Sequence, residues 1–192
     1  RVRVVVTRPL PIGAPLWVAN HLSWLDPLVL LALRPAGVLA KAEVADYPIV
    51  GWGVRRAGLH FVQRDEPRSR AAALVAMAAA LRKGQAFLVF PEGTTTRGPG
   101  IAPLQWGSLR LAWRMDIAVL PLRIESPDDH YPWTGDERLV PHLRGLSRKS
   151  ATHVRVHPGC VLHPRDFANE TAFLEAVRRH MADPYLPVEV PV

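Results

Sequence analysis

The chain carries a single cysteine, Cys160, among its 192 residues, so neither an intrachain disulfide nor a Cys-x-x-Cys metal or redox pair can form. A reducing compartment, the cytoplasm, is the expectation. Long apolar runs are missing too. The longest, Ala71 to Leu81, is bounded by Arg70 and Arg82 and falls short of the roughly 18 to 20 residues a membrane-spanning helix needs. The N-terminus shows no succession of basic, apolar and small-residue regions of the secretory kind. The chain opens on Arg1 rather than Met, and an upstream segment, able to carry a membrane anchor, is expected to precede it. Lysine is scarce: of 24 basic residues only Lys41, Lys83 and Lys149 are lysine. The net charge of +7 is therefore mostly guanidinium, whose fork suits phosphate oxygens. Nucleic acid, anionic lipid and a phosphorylated substrate all remain open on charge alone. Internal repeats and low-complexity tracts are absent, and the missing Gly-x-Ser-x-Gly elbow argues against a hydrolase.

What is present is the balance of one globular domain, 48% hydrophobic and 21% charged, spanning residues 1–192. Val2 to Val6 and Leu16 to Ala19 read as strands. Ser23 to Leu33 reads as an apolar helix, with Ser23 as its cap and Pro27 near its first turn. Glu66 to Lys83, rich in alanine and closed by Gly84, predicts a second helix, and Ala86 to Phe90 a buried strand. Leu104 to Met115 reads as a helix, Ile117 to Ile124 as a strand, His153 to Val156 as a strand and Asp166 to Ala182 as a closing helix. Near-continuous apolar strands alternating with helices point to an α/β fold: one domain with a mostly parallel central sheet flanked by helices. In such sheets, sites gather beyond the C-terminal ends of the strands.

Three runs carry chemistry. Asn20-His21-Leu22-Ser23-Trp24-Leu25-Asp26 places a histidine and an aspartate five positions apart across a strand-to-helix junction. On a regular helix five positions rotate by about 140°, so the two side chains meet only if His21 precedes the helix. A carboxylate on one imidazole nitrogen would leave the other free to take a proton from a hydroxyl; the alternative is a structural hydrogen bond. Phe90-Pro91-Glu92-Gly93-Thr94-Thr95-Thr96 ends an apolar strand in a glycine and three hydroxyls, a turn able to accept phosphate oxygens or simply to leave the sheet. Gly58-Leu59-His60-Phe61-Val62-Gln63-Arg64 is a half-alternating strand closed by an arginine that is either a ligand or a solvated end.

In this order these runs resemble the glycerolipid acyltransferase family. Asn20-His21 with Asp26 is similar to its first motif, Gly58, Phe61 and Arg64 to its second, Phe90-Pro91-Glu92-Gly93-Thr94 to its third and Val119-Leu120-Pro121 to its fourth. Lys41-Ala42-Glu43, with Pro48 and Gly51, resembles the family's stretch before the second motif. Thr95 stands where many members carry arginine. The resemblance implies transfer of a fatty acyl group to a lysolipid hydroxyl from a thioester on coenzyme A or acyl carrier protein, as co-substrate and without a further cofactor. It implies that His21 is the general base, that Asp26 orients it, and that Arg64, Glu92, Gly93 and Thr94 form the polar-head site. No acyl-enzyme is called for. Lysophosphatidate, acylated at its sn-2 hydroxyl to phosphatidate, is the acceptor expected first; another lysolipid such as lyso-ornithine lipid is the alternative. The expected place of work is the cytoplasmic face of the cell membrane, on an anionic lipid surface and without nucleic acid. A non-catalytic module binding anionic lipid is the reading from a different class.

Other clusters are weaker. His153, His157, Cys160 and His163 have spacings that a zinc site would tolerate, but Pro158, Gly159 and Pro164 break the segment and no metal is expected. Trp24, Trp52, Trp106, Trp113 and Trp133 read mainly as packing residues. Arg55-Arg56 and Arg68-Ser69-Arg70 are either solvated faces or contacts for anionic headgroups.

Overall fold

A computed structural model describes residues 1–41, 59–62, 67–134 and 137–187. Arg64, Gly58, Trp52, the Arg55-Arg56 pair, and Ala42, Glu43, Pro48 and Gly51 of the stretch before the second motif lie outside the described residues. In chain order the elements are β1 (Val2–Val6), β2 (Leu16–Ala19), α1 (Asp26–Leu33), β3 (Gly37–Lys41), β4 (Leu59–Val62), α2 (Pro67–Arg82), β5 (Phe87–Val89), α3 (Gly107–Arg114), β6 (Val119–Glu125), α4 (Leu139–Ser147), β7 (Thr152–Pro158), a 3₁₀ turn (Pro164–Asp166) and α5 (Glu170–Ala182).

The strands form one sheet in the order β1-β7-β6-β2-β5-β3-β4. All neighbours pair in parallel except β6 and β7, which are antiparallel. The α/β architecture with a mostly parallel sheet is therefore the observed one. β1 and β7 run as a reversed pair at one edge, while β2 sits centrally with β6 on one side and β5 on the other.

Alternation along β2 explains the layering. Leu16 and Val18 point to the face covered by α2, α3 and α5, where Met77, Leu81, Leu109, Phe173 and Val177 pack with them. Trp17 and Ala19 point to the other face, against Val29 and Leu30 of α1 and Tyr131 from the segment after β6. All four β2 residues are fully buried, as expected for a strand covered on both sides.

Local chemistry sets the helix ends. Pro67 opens α2, where its missing N–H costs nothing, and alanines carry it for four turns. Gly84 adopts φ +72°, letting Gly84 N–H reach Leu81 O at 3.0 Å and Gln85 N–H reach Ala80 O at 3.1 Å; the left-handed step satisfies carbonyls the helix would otherwise leave open. The closing helix starts later than its pattern suggests. Asn169 caps α5 by accepting from Ala172 N–H at 2.9 Å, and Pro164–Asp166 forms a separate turn. α1 also starts late, at Asp26, and Ser23 does not cap it. The reason lies in the site.

Candidate active site

β2 and β5 are neighbours in register, with Val18 opposite Val89, so both chains leave the sheet at the same place. Asn20 is the first residue beyond β2. Its side-chain amide donates to Ile124 O at 3.0 Å and accepts from Ile124 N–H at 2.6 Å, and it is 3% exposed. A side chain thus continues the ladder from β2 to β6 after the backbone has turned away, and fixes where His21 begins.

The turn that follows is organised around Asp26. Its Oδ2 accepts from Leu22 N–H at 2.6 Å, Ser23 N–H at 2.8 Å and His21 Nδ1–H at 2.8 Å. Its Oδ1 accepts from the Tyr131 hydroxyl at 2.5 Å. Asp26, Ser23 and Tyr131 are each 0% exposed. The amides of residues 22 and 23 therefore point at this carboxylate, and Ser23 O accepts from Asp26 N–H at 3.0 Å, a tight turn that leads into α1 at Asp26. Ser23 Oγ instead accepts from Leu25 N–H at 3.4 Å. His21 precedes the helix, as the five-residue spacing requires, and meets Asp26.

Because a carboxylate only accepts, the shared proton sits on Nδ1 and leaves the Nε2 lone pair available. The ring stacks on Phe90, the first residue after β5, with centroids 4.2 Å apart and planes inclined by 25°. Nε2 has no hydrogen-bond partner among the described residues, and the His21 side chain keeps 12% of its surface open. This arrangement can remove a proton from a small donor brought to Nε2 and stabilise the resulting imidazolium.

Glu92 serves the same turn from the other strand. Its Oε1 accepts from His21 N–H at 3.0 Å, and its Oε2 from Ala102 N–H at 3.0 Å and the Thr96 hydroxyl at 3.4 Å. Thr96 N–H in turn donates to His21 O at 2.8 Å. Burial pushes the Glu92 carboxyl above its ordinary range, while the Ala102 and His21 amides pull it back. Both of its oxygens are committed to the protein, so Glu92 braces the histidine turn; the sequence places it in the polar-head site, and the geometry gives it this other task. Gly93 follows at φ +71°, a left-handed conformation costing other residues about 1 to 2 kcal/mol, and its N–H reaches Phe90 O at 3.1 Å. Thr94 is exposed beside it. Thus His21, Asp26 and Glu92 share one hydrogen-bonded network, and Gly93 and Thr94 adjoin it.

Beside the turn lies a cleft of about 270 Å³, bordered by Asn20, Leu22, Pro99, Arg123, Glu125 and Arg155. The Arg123 guanidinium is spent on Glu125 Oε1 at 2.6 Å, Ala182 O at 2.9 Å and Pro99 O at 2.6 Å. The histidines near the C-terminus do not gather. His157 Nδ1 lies 2.8 Å from the Tyr185 hydroxyl and 3.2 Å from that of Thr7, with Nε2 3.3 Å from Glu125 Oε2. Among the described residues no group of three metal-ligating side chains occurs. Trp24 Nε1–H donates to His142 Nδ1 at 3.1 Å and Trp133 Nε1–H to Glu137 O at 2.8 Å, so both indole N–H groups are satisfied within the protein.

Sequence reasoning missed Tyr131 and the bracing by Thr96 and Ala102. Nothing local marks Tyr131, which lies 105 positions from Asp26; the hydroxyl run after Glu92 was a usable signal for Thr96.

Comparison with known proteins gives a consistent picture. The model of the family described as Acyltransferase matches residues 1–125. A lyso-ornithine lipid O-acyltransferase of Pseudomonas aeruginosa is 37% identical over 150 residues, covering 73% of this chain and 57% of that protein. A 1-acyl-sn-glycerol-3-phosphate acyltransferase of Neisseria meningitidis serogroup B is 31% identical over 194 residues, covering 93% of this chain and 74% of that protein. The chain spans a little over half the length of the lyso-ornithine lipid O-acyltransferases it matches. The crystal structure of the 1-acyl-sn-glycerophosphate acyltransferase PlsC from Thermotoga maritima aligns with a TM-score of 0.68 at 24% identity, over 94% of this chain and 71% of that one. That likeness is one of fold.

Proposed function

The chain belongs to the acyltransferase family, and from that premise we propose that it moves a fatty acyl group from a thioester to the hydroxyl of a lysolipid, with His21 as general base. The observation that carries this reading is the His21–Asp26 pair at the end of β2, with Nδ1 held by a buried carboxylate and Nε2 unengaged among the described residues. Nε2 takes the proton of the acceptor hydroxyl as its oxygen attacks the thioester carbonyl. The C–S bond of the tetrahedral intermediate then breaks, and the departing sulfur receives that proton from the imidazolium. Asp26 stabilises the charge that His21 holds between these steps. A direct transfer fits the burial of Ser23, whose hydroxyl is turned into the 23–25 turn rather than toward substrate.

The thioester is carried by coenzyme A or acyl carrier protein, and neither needs a resident cofactor in the site. For the acceptor we favour lyso-ornithine lipid. The relative at 37% identity supports it, and so does Thr95, which supplies no cation where many family members have arginine. Arg97, the next basic residue, is paired with Glu137 at 2.8 Å. Lysophosphatidate is the second reading, supported by the relative whose match extends over 93% of this chain; there Arg64, Gly93 and Thr94 would receive the phosphate. We place the reaction on the cytoplasmic face of an anionic membrane. No described helix is long and apolar enough to cross it, and exposed Arg68 and Arg70 on α2 suit its headgroups.

Acyl transfer from a long-chain thioester to each lysolipid, in vesicles, tests this reading. His21→Ala is expected to cut turnover by about 10² to 10⁴ with the fold intact. Near-parent turnover in that variant would remove the mechanism, and transfer to lysophosphatidate alone would change the acceptor. Lipid binding without transfer to either would favour the binding module.

A further inference from the structure

We propose that Tyr131 is a positioning residue of the active site, which orients His21 by holding the second oxygen of Asp26. The inference rests on the acyl-transfer reading above and extends the site beyond residues 1–125, the part that matches the family.

The geometry divides the Asp26 carboxylate into two halves. Oδ2 serves the histidine turn, with three donors from His21, Leu22 and Ser23. A carboxylate gripped at one oxygen can still rotate about its own axis and carry the imidazole with it. Tyr131 closes off that freedom by donating to Oδ1 at 2.5 Å. The phenol is itself fixed. Its backbone N–H donates to Asp128 O at 2.9 Å, Trp133 N–H two residues on donates to Leu22 O at 2.8 Å, and Asp128 Oδ2 accepts from His153 N–H on β7 at 2.6 Å. The segment is thereby tied at one end to the sheet and at the other to the turn that bears His21.

A phenylalanine would fill the same apolar space against Trp17, Leu30 and Leu122 without the cost of burying a hydroxyl. Tyr131 is 0% exposed, and burial next to Asp26 raises its phenol far above the ordinary range, so it remains a proton donor throughout the folded range. The charged or titratable groups that face His21 among the described residues are Asp26 from α1 and Glu92 from beyond β5. Tyr131 acts through the first.

The test compares the parent chain with Tyr131→Phe and with 3-fluorotyrosine incorporated at position 131. Removing the hydroxyl concentrates charge on Oδ2, which strengthens the hold on the imidazolium. The base works only when unprotonated, so the acid limb of the kcat/KM profile should move to higher pH by about half a unit. We expect kcat to fall about tenfold, with KM within about twofold, and the low-field proton resonance of His21 Nδ1–H to shift. Fluorotyrosine is a stronger donor of nearly the same size and should move limb and resonance the opposite way. A merely structural tyrosine lowers the folded fraction and kcat but moves neither. An unmoved limb and resonance in a folded variant overturn the proposal, whatever happens to kcat. If Tyr131→Phe does not fold, the fluorotyrosine protein decides the matter by the same criterion. Should the parent transfer no acyl group at all, the functional reading fails separately, since the Nδ1–H resonance still reports the coupling.

Discussion

Replacing Asp26 by asparagine changes one atom and separates the two tasks of this carboxylate. The amide has two orientations. With nitrogen in the Oδ2 position it would face Leu22 N–H, Ser23 N–H and His21 Nδ1–H, opposing donor to donor at both backbone amides, which cannot reverse their polarity. With oxygen there, those three bonds survive, and the nitrogen faces the Tyr131 hydroxyl, which can rotate its proton away and accept instead. The second orientation should therefore be adopted. Its cost is that charge-assisted bonds become neutral ones, about 1 kcal/mol each, partly offset because no charge remains buried. We expect a net loss of about 1 to 3 kcal/mol in urea unfolding. Asp26→Ala is a different case. It leaves Leu22 N–H, Ser23 N–H and the Tyr131 hydroxyl buried without partners, at about 1 to 3 kcal/mol apiece, a sum comparable with the whole stability of a domain. Catalysis discriminates in the other sense. The Asp26→Asn variant keeps the imidazole tautomer but supplies no charge, so the imidazolium loses its stabilisation and turnover should drop by about 10² to 10⁴ in a protein that still folds. Equal destabilisation by asparagine and alanine would refute the orientation argument; parent-level turnover with asparagine would refute the charge argument.

Further outcomes follow from other contacts. Asn20→Ala deprives Ile124 N–H and O of both partners and should cost about 2 to 4 kcal/mol in denaturant unfolding, while Asn20→Asp, which keeps the acceptor but sets a buried carboxylate oxygen against Ile124 O, should cost at least as much. Glu92 has a raised folded-state pKa caused first by burial, so between 4.5 and that higher value the native state holds more protons than the unfolded one. Its contribution to stability therefore falls as pH rises through this window, and Glu92→Gln should flatten that part of the stability profile while orphaning the Ala102 N–H; a profile unchanged by the substitution would contradict the assignment.

Much of the fold was legible because it is local. β1 and β2 lie where their apolar runs end, and α2 stops at its glycine. β3 and α4 were missed for physical reasons. Gly37–Lys41 follows an apolar helix so closely that its own strand pattern is submerged, and it acquires meaning only by pairing with β5 and β4. α4 contains Pro141 and Gly145, both breakers in the interior of a helix, yet Pro141 falls in the first turn, where an N–H has no helical partner to lose. The site divides in the same way. His21 and Asp26 share a seven-residue run and announce themselves by spacing, whereas Tyr131 reaches Asp26 only through the packing of one sheet face. Glu92 was found, but its bracing of the histidine turn was not, since nothing in a short motif says whether a carboxylate looks outward or back to the main chain.

The edge formed by β1 and β7 has a consequence for biogenesis. Among the described residues Val2 to Val6 finds its only strand partner in Thr152 to Val156, which leaves the ribosome about 150 residues later. At roughly 5 to 20 residues per second, β1 waits on the order of ten seconds for this partner, and once paired Val2, Val4 and Val5 remain 42%, 37% and 53% exposed. Arg1 and Arg3, interleaved with these valines, put charge on a segment that would otherwise template aggregation. Neutralising them should leave the native fold alone and lower soluble yield, a cost felt during synthesis rather than in the native state.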